Sequence, residues 1–183
     1  MGANGGFGSW HHLAKRFFGA LSPVGPAPAD EEWAQSHLLN GERTVWRRMS
    51  GPDRRHAVGV ARDAIRLLQP APAPREVVAA ALLHDSGKVE SSLGTFMRAG
   101  VTFIAVVVGR TRLLRWAGDL NGRRSWRARI GLYLTHDRVG ADLLDRAGSH
   151  PLTVSWTSEH HMAPELWTVD ATVGAALKAA DGD

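Results

Sequence analysis

The sequence contains no cysteine among its 183 residues. Disulfides, thiolate-held zinc and iron-sulfur clusters are therefore excluded, and any metal ion must be held by imidazole and carboxylate groups. A long apolar run is also missing, since residues 101–108 form the longest one and a membrane-spanning helix needs roughly 20 residues. The first ten residues, MGANGGFGSW, lack the basic and then apolar layout of a signal peptide. These absences predict a cytoplasmic protein without a transmembrane helix.

The composition is that of one ordinary folded domain. Apolar residues make up 44% of the chain and charged residues 22%, which argues against wholesale disorder. A length of 183 residues is enough for one helical domain with a core and too short for two domains of ordinary size. The formal net charge is +4 and arginine far outnumbers lysine, so we expect the surface to attract phosphate-bearing partners, whether a nucleotide, a nucleic acid or an anionic lipid. The partner that we predict is a phosphate-containing small molecule.

Helical periodicity and helix-breaking residues divide the chain. We predict a flexible N-terminal segment over residues 1–29, with a short amphipathic helix over residues 10–21. The domain follows over residues 30–183, and its predicted helices run from Asp30 to Ser50, from Pro52 to the Pro-Ala run at 70–74, from Arg75 to Lys88, from Ile130 to Ala147 and from Val169 to Ala180. Gly87 is expected to turn the chain after the third of them. The pattern predicts an all-α helical bundle in a single domain.

Residues 91–130 interrupt this pattern as an insertion rich in arginine and tryptophan. Seven arginines between positions 110 and 129 are interleaved with Trp116 and Trp126. We predict a packed helical hairpin with a basic outer face. The alternative is that residues 110–129 contact an anionic membrane, which would make the protein membrane-peripheral, or a nucleic acid.

Four residues suggest a metal site. His84 and Asp85 end an apolar helix and can both turn toward one ion, giving a nitrogen and an oxygen ligand. His56 lies on the preceding predicted helix and Asp181 ends the last one, so an antiparallel bundle would bring both beside the pair. Such a set suits Mn, Fe, Co, Ni or Mg better than a closed structural zinc site. The alternative for the pair alone is a helix-capping role, with Asp85 bonding backbone amides.

The order of these residues resembles that of the HD superfamily of metal-dependent phosphohydrolases. LLHDSGK at 82–88 is similar to the family's central motif, HAVGVA at 56–61 to its first histidine helix, and LKAAD at 177–181 to its closing aspartate. HDRVGADLL at 136–144 and the pair His160-His161 resemble the extra ligands of the HD-GYP branch, although MAPELWTVD at 162–170 lacks the Gly-Tyr-Pro signature. The resemblance implies an HD-type helical bundle with one to three divalent ions, and His136, His160 and His161 as further ligands. For His161 a supporting role behind the ligands is the alternative.

The resemblance implies a phosphohydrolase that acts on a phosphoester, a nucleotide or a cyclic-dinucleotide-like phosphodiester, by metal-activated water. Asp85 and Lys88 are the expected catalytic residues, with Asp85 between the ions. Lys88, Arg54 and Arg55 are expected to bind the substrate phosphate, and solvated surface charge is the alternative for all three. The alternative function is that of a catalytically weak HD domain that serves as a nucleotide or second-messenger sensor.

Overall fold

The computed structural model describes residues 24–91, 93, 97, 100–101, 104–105, 108–117 and 125–182. Every element of secondary structure in this part of the chain is a helix, which confirms the predicted all-α fold. In chain order the helices are α1 (Pro28–Ser36), α2 (Asn40–Arg48), α3 (Gly51–Leu67), α4 (Arg75–Leu83), α5 (Lys88–Ser91), α6 (Arg110–Ala117), α7 (Trp126–Leu134), α8 (His136–Arg146), α9 (Pro151–Glu159), a 3-10 turn (Pro164–Leu166) and α10 (Ala171–Asp181). None of the described helices combines the length and apolarity needed to cross a bilayer. The predicted helix over residues 10–21 lies outside the described residues.

Helix α4 is the central helix of the bundle. All residues from 77 to 83 are buried, and α3 and α9 pack against this helix. An apolar surface on all sides is stable only where other helices surround it. Trp46 of α2 and Trp156 of α9 are the largest fully buried side chains of the same core. The central helix therefore carries the chain through the core and delivers His84 and Asp85 at its end.

Helices α3 and α10 pack against each other and have defined ends. Ser50 begins α3 by accepting a hydrogen bond from the Asp53 amide at 3.3 Å. Asp170 begins α10 in the same way, and Gly182 ends it with a φ of 75°, a conformation that favours glycine. Because these helix ends are fixed, His56 and Asp181 have defined positions along α3 and α10.

The prediction of one helix from Asp30 to Ser50 is wrong, because the chain turns between α1 and α2. Glu42 accepts a hydrogen bond from the Leu39 amide at 2.7 Å, which satisfies a donor at the start of α2. Its side chain is fully buried, and Arg75 of α4 lies 3.4 Å from the same carboxylate oxygen. The break is thus fixed by a charge pair between distant parts of the sequence.

The helix predicted from Ile130 to Ala147 is also divided. Thr135 leaves the helical conformation with φ −114° and ψ 22°, and its hydroxyl donates to the Gly131 carbonyl at 2.9 Å. A threonine that bonds a preceding carbonyl competes with the helix ladder. His136 consequently starts α8 instead of lying inside a longer helix. The third predicted helix likewise ends at Leu83, and residues 84–87 form a turn before α5.

A second, smaller core lies under the insertion. It contains Leu93, Val101, Leu113, Ile130 and Leu134. Helices α6 and α7 pack against each other, as the predicted hairpin requires, and α7 also packs against α5. Residues 118–124, between α6 and α7, lie outside the described part of the chain.

Candidate metal centre

The structure brings all seven predicted metal ligands together at one end of the bundle. They come from α3, the turn after α4, the start of α8, the end of α9 and the end of α10. They are His56, His84, Asp85, His136, His160, His161 and Asp181. Residues separated by more than a hundred positions in the sequence thus form two adjacent clusters.

The first cluster contains His56, His84, Asp85 and Asp181. Ligand atoms of the first three residues all lie within 4.8 Å of one another. His56 Nε2 lies 2.9 Å from Asp181 Oδ1, and His84 Nε2 lies 3.7 Å from the same oxygen. Two imidazoles and two carboxylates therefore face one another, which is a donor set that divalent transition metals accept.

The second cluster contains His136, His160 and His161, whose ligand atoms also lie within 4.8 Å of one another. Asp85 connects the two clusters. Its Oδ2 lies 3.4 Å from His84 Nε2, and its Oδ1 lies 3.2 Å from His136 Nε2. One carboxylate therefore offers one oxygen to each cluster.

Three of the histidines are held in the same way. The Nδ1 atoms of His84, His136 and His160 lie 2.9, 2.8 and 2.9 Å from the backbone carbonyls of Ala81, Tyr133 and Thr157. A carbonyl can only accept a hydrogen bond, so each Nδ1 carries a hydrogen and each Nε2 faces the cluster, where it offers its lone pair to a metal ion once it carries no proton itself. This orientation is the usual one for metal-bound histidine.

In the part of the chain that the structure describes, these three Nε2 atoms are buried and make no hydrogen bond, although those of His84 and His136 lie 3.4 and 3.2 Å from oxygens of Asp85. A buried polar atom left in this state costs about 1–3 kcal/mol, and three at one place require a reason. A metal ion bonded to each lone pair would remove the penalty. The residues present therefore fit divalent ions, and the capping alternative does not account for these nitrogens.

The carboxylates of the site are anionic. Although burial opposes ionisation, Lys88, His84 and His136 hold the pKa of Asp85 well below its ordinary value. Against the same opposing effect of burial, a hydrogen bond from His56 and the charge of His84 lower the pKa of Asp181. The clusters thus offer two negative groups to a cation.

The histidines differ in their affinity for protons. Burial lowers the pKa of His84, but Asp85 and Asp181 outweigh burial and raise this pKa to about 9. Burial, together with His84 and His161, lowers the pKa of His160 to about 2. In the metal-free protein His84 therefore carries a proton at neutral pH, whereas His160 is already a neutral ligand.

We predict that metal binding to the metal-free protein releases protons and strengthens with pH. An imidazolium cannot bind a metal ion, so an ion must displace the proton of His84 below its pKa of about 9. One released proton makes the apparent affinity rise about tenfold per pH unit up to that pKa and level off above it. Calorimetric titrations with Mn²⁺, in buffers that differ in ionisation enthalpy, measure the number of protons released.

The same linkage affects the stability of the metal-free protein. The pKa of His84 is raised from its ordinary 6.5 to about 9, so the charged imidazolium stabilises the fold below pH 6.5 and this contribution is lost as the pH rises through 9.

The control for the metal-binding prediction is His160→Asn. This variant should retain the proton release, because His160 is neutral at these pH values. An affinity that does not change with pH would contradict the prediction.

Lys88 lies at the site, paired with the shared carboxylate. Its Nζ donates to Asp85 Oδ2 at 2.5 Å. Burial disfavours the ammonium, but Asp85 more than offsets this and raises the pKa of Lys88. The cation thus stays charged next to the two clusters, and its expected contact with a substrate phosphate stays a prediction.

The two arginines that precede His56 have partners in the fold. Arg54 donates to Glu31 of α1 at 3.0 Å and lies over the Trp46 ring, and Arg55 donates to the Val24 carbonyl. These contacts hold the chain before α2 against α3. A role of either arginine in substrate binding stays a prediction.

Three further residues support the ligands and were not predicted as site residues from the sequence. Lys178 of α10 donates to the His160 carbonyl at 2.9 Å and so fixes the end of α9. Tyr133 gives its carbonyl to His136 and stacks its ring on that imidazole. The spacing of three residues between Lys178 and Asp181 places both on one side of α10 and was the available signal for Lys178. Gly140 of α8 permits a close backbone approach to Gly87. The role of the Tyr133 carbonyl had no signal in the sequence, since every residue has a carbonyl.

Gly87 lies in the turn after α4, as expected, but it does not adopt the left-handed conformation. The described glycines with positive φ are Gly109, Gly148 and Gly182. A Cβ atom at position 87 would instead strike the backbone carbonyl of His136 and lie 2.5 Å from the Gly140 amide. The glycine therefore serves close packing of the turn after α4 against the start of α8, which keeps Asp85 beside His136.

Comparisons of the chain with protein-family models, with curated proteins and with solved structures find no match. The function is therefore argued from the geometry of the two clusters and from the chemistry of their residues.

Proposed function

We propose that this protein is a metal-dependent phosphohydrolase with two adjacent metal ions. The observation that carries the proposal is the position of Asp85, whose two oxygens face His84 of one cluster and His136 of the other. A carboxylate shared by two ligand sets would help to hold two divalent ions, and pairs of such ions serve displacement reactions at phosphorus. The resemblance of the motif order to that of HD phosphohydrolases supports the same proposal.

The ligand sets follow from the two clusters. His56, His84, Asp85 and Asp181 would hold the first ion, and Asp85, His136, His160 and His161 the second. Imidazole and carboxylate ligands suit Mn, Fe, Co or Ni, and Mg with fewer protein ligands. Bound divalent ions supply the Lewis acidity that makes water nucleophilic at neutral pH and offsets charge on a phosphoryl group.

The protein side chains provide orientation and charge. The hydrogen bonds from Nδ1 to carbonyls lock the imidazoles of three histidines before any ligand arrives, so little ordering remains to be done on binding. Lys88 places a fixed positive charge beside Asp85, which favours an anionic substrate over a neutral one. This cation is the feature of the site that favours phosphoester over amide hydrolysis.

The two clusters reach the protein surface. His161 is exposed, and the His56 side chain is 34% exposed, whereas His84 and His160 are buried. Each cluster therefore has buried ligands for rigidity and one ligand at the surface. A substrate would approach each cluster at its exposed imidazole.

The test combines metal content with turnover. Elemental mass spectrometry of the purified protein gives the ions per chain, and hydrolysis of bis-para-nitrophenyl phosphate is followed with Mn²⁺, Fe²⁺, Co²⁺, Ni²⁺ and Mg²⁺. We expect two equivalents of transition metal and turnover with at least one ion. His84→Gln should lose one equivalent of metal together with turnover, whereas His37→Gln, a control whose Nδ1 also lies 2.8 Å from a backbone carbonyl, should keep two equivalents and turnover.

Nucleotide binding and nucleotide hydrolysis, measured on the same preparation, separate the enzyme from the sensor. A protein that binds two ions and a nucleotide, but hydrolyses no phosphoester with any of these ions, would be a sensor and would refute the hydrolase proposal. A protein without any bound divalent ion, whether as purified or after reconstitution, would refute the metal centre itself.

A further inference from the structure

The positive charge of the protein is concentrated in the insertion, residues 91–130. This stretch contains eight arginines, no lysine and a single acidic residue, Asp119, so its formal charge is +7. The whole chain carries +4, so the remaining residues together carry −3. Charge of one sign collected on one segment creates a potential that attracts a partner of the opposite sign. The insertion is thus complementary to a polyanionic surface.

The insertion also exposes large apolar side chains. Among the residues that the structure describes, half of the exposed large hydrophobic side chains lie between positions 97 and 126. They are Met97, Ile104, Val108, Trp116 and Trp126, with exposures of 52, 46, 45, 41 and 56%. The first three stand on helical backbone at spacings of seven and four, which repeat on one face of a helix, and Val101, whose spacing places it at the border of that face, is buried in the second core.

Arginine and tryptophan side chains stand together on the neighbouring helices. The rings of Trp116 and Trp126 meet edge to face with centroids 5.1 Å apart, and the Arg127 guanidinium lies 4.8 Å from the Trp116 centroid. Arg112 and Arg115 of α6 are exposed as well. Tryptophan favours the headgroup level of a bilayer, and arginine pairs with phosphate.

We propose that the insertion binds the surface of an anionic lipid bilayer, with Met97, Ile104 and Val108 entering the acyl boundary and the arginines on lipid phosphates. The aliphatic side chains decide for lipid over nucleic acid. Contact with a hydrated polyanion would leave the apolar surface of these side chains in water, whereas insertion into the acyl boundary would remove that surface from water. A second copy related by a two-fold axis would place the +7 segment against itself, which charge repulsion opposes.

The proposal is tested by vesicle flotation of the full chain. The vesicles are phosphatidylcholine with and without one third of phosphatidylglycerol. The chain should bind the phosphatidylglycerol vesicles, and added salt should weaken binding. Ile104→Asn should lower the partition coefficient about tenfold, through lost aliphatic burial. Arg115→Ser should lower it about fivefold, through one lost contact with the anionic surface.

A matched pair of controls lies side by side on α3. Leu67 is 50% exposed and the Arg66 side chain is 71% exposed, so Leu67→Asn and Arg66→Ser make the same chemical changes outside the insertion. Both controls should partition like the unchanged protein. Because the readout is vesicle binding in the absence of substrate, its result is separate from that of the turnover test.

Several results would overturn the proposal. These are no binding to phosphatidylglycerol vesicles, and equal losses in the α3 controls. They also include binding to a single-stranded oligonucleotide without binding to vesicles, and a dimer in sedimentation that Ile104→Asn dissociates.

Discussion

Replacing Asp85 by asparagine should remove both metal ions and lower phosphoester turnover about a thousandfold or more, since bound ions stabilise the transition state by several kcal/mol and 1.4 kcal/mol is tenfold in rate. The neutral amide keeps the size of the side chain but is a much weaker ligand. It also removes the negative charge that both His84 and His136 face. Elemental analysis and turnover of the same preparation measure the two effects.

The loss of both ions distinguishes Asp85 from the other ligands. His136→Gln should lose one ion and His56→Gln should lose the other, because each residue belongs to a single cluster. Asp142→Asn makes the same chemical change as Asp85→Asn at an exposed position of α8 and should leave two ions bound. If Asp85→Asn retained one full equivalent of metal, the shared position of this carboxylate would be refuted.

Replacing Gly87 by alanine should separate the two clusters. The added Cβ would strike the His136 carbonyl and the Gly140 amide, and neither backbone atom can rotate away as a side chain does. The turn after α4 must therefore move from α8, which lengthens the 3.2 Å separation of Asp85 and His136. We expect the second ion to be lost, the first to stay, and the free energy of unfolding to fall by about 1–3 kcal/mol.

Gly59→Ala is the control for this substitution. Gly59 is exposed on α3, and nothing lies within 4 Å of the position that its Cβ would occupy. Alanine should therefore raise the free energy of unfolding by about 0.5–1 kcal/mol and leave metal content unchanged. Denaturant melts and elemental analysis of both variants check the pair. Two bound ions and unchanged stability in Gly87→Ala would contradict the packing argument.

His84 and Asp85 could be found from the sequence because they are polar residues that directly follow an apolar helix. Residues 77–83 are apolar without interruption, and two polar residues that follow such a helix have no role in its packing. Without cysteine, imidazole and carboxylate are the ligands that remain. Helical spacing and the breaking residues sufficed to predict the all-α class.

The helix boundaries could not be predicted equally well. Apolar spacing continues through the break between α1 and α2, where the deciding contact joins Glu42 to Arg75, 33 positions away. The end of α7 depends on Thr135, whose hydroxyl bonds a preceding carbonyl. A sequence pattern records which residues avoid water, but it does not record a polar contact that only the folded chain creates.

The sequence by itself determined the class of fold, the types of ligand and the segregation of positive charge into one insertion, because these properties depend on residue identity and local spacing alone. Only the tertiary structure decided that the ligands form two clusters, that Asp85 belongs to both, and that three histidines present Nε2 to them. It also decided that Gly87, which lies in the turn after α4, is required there by the close contact with α8. These features depend on distances between helices that are far apart in the chain, and such distances are set by the packing of the whole bundle.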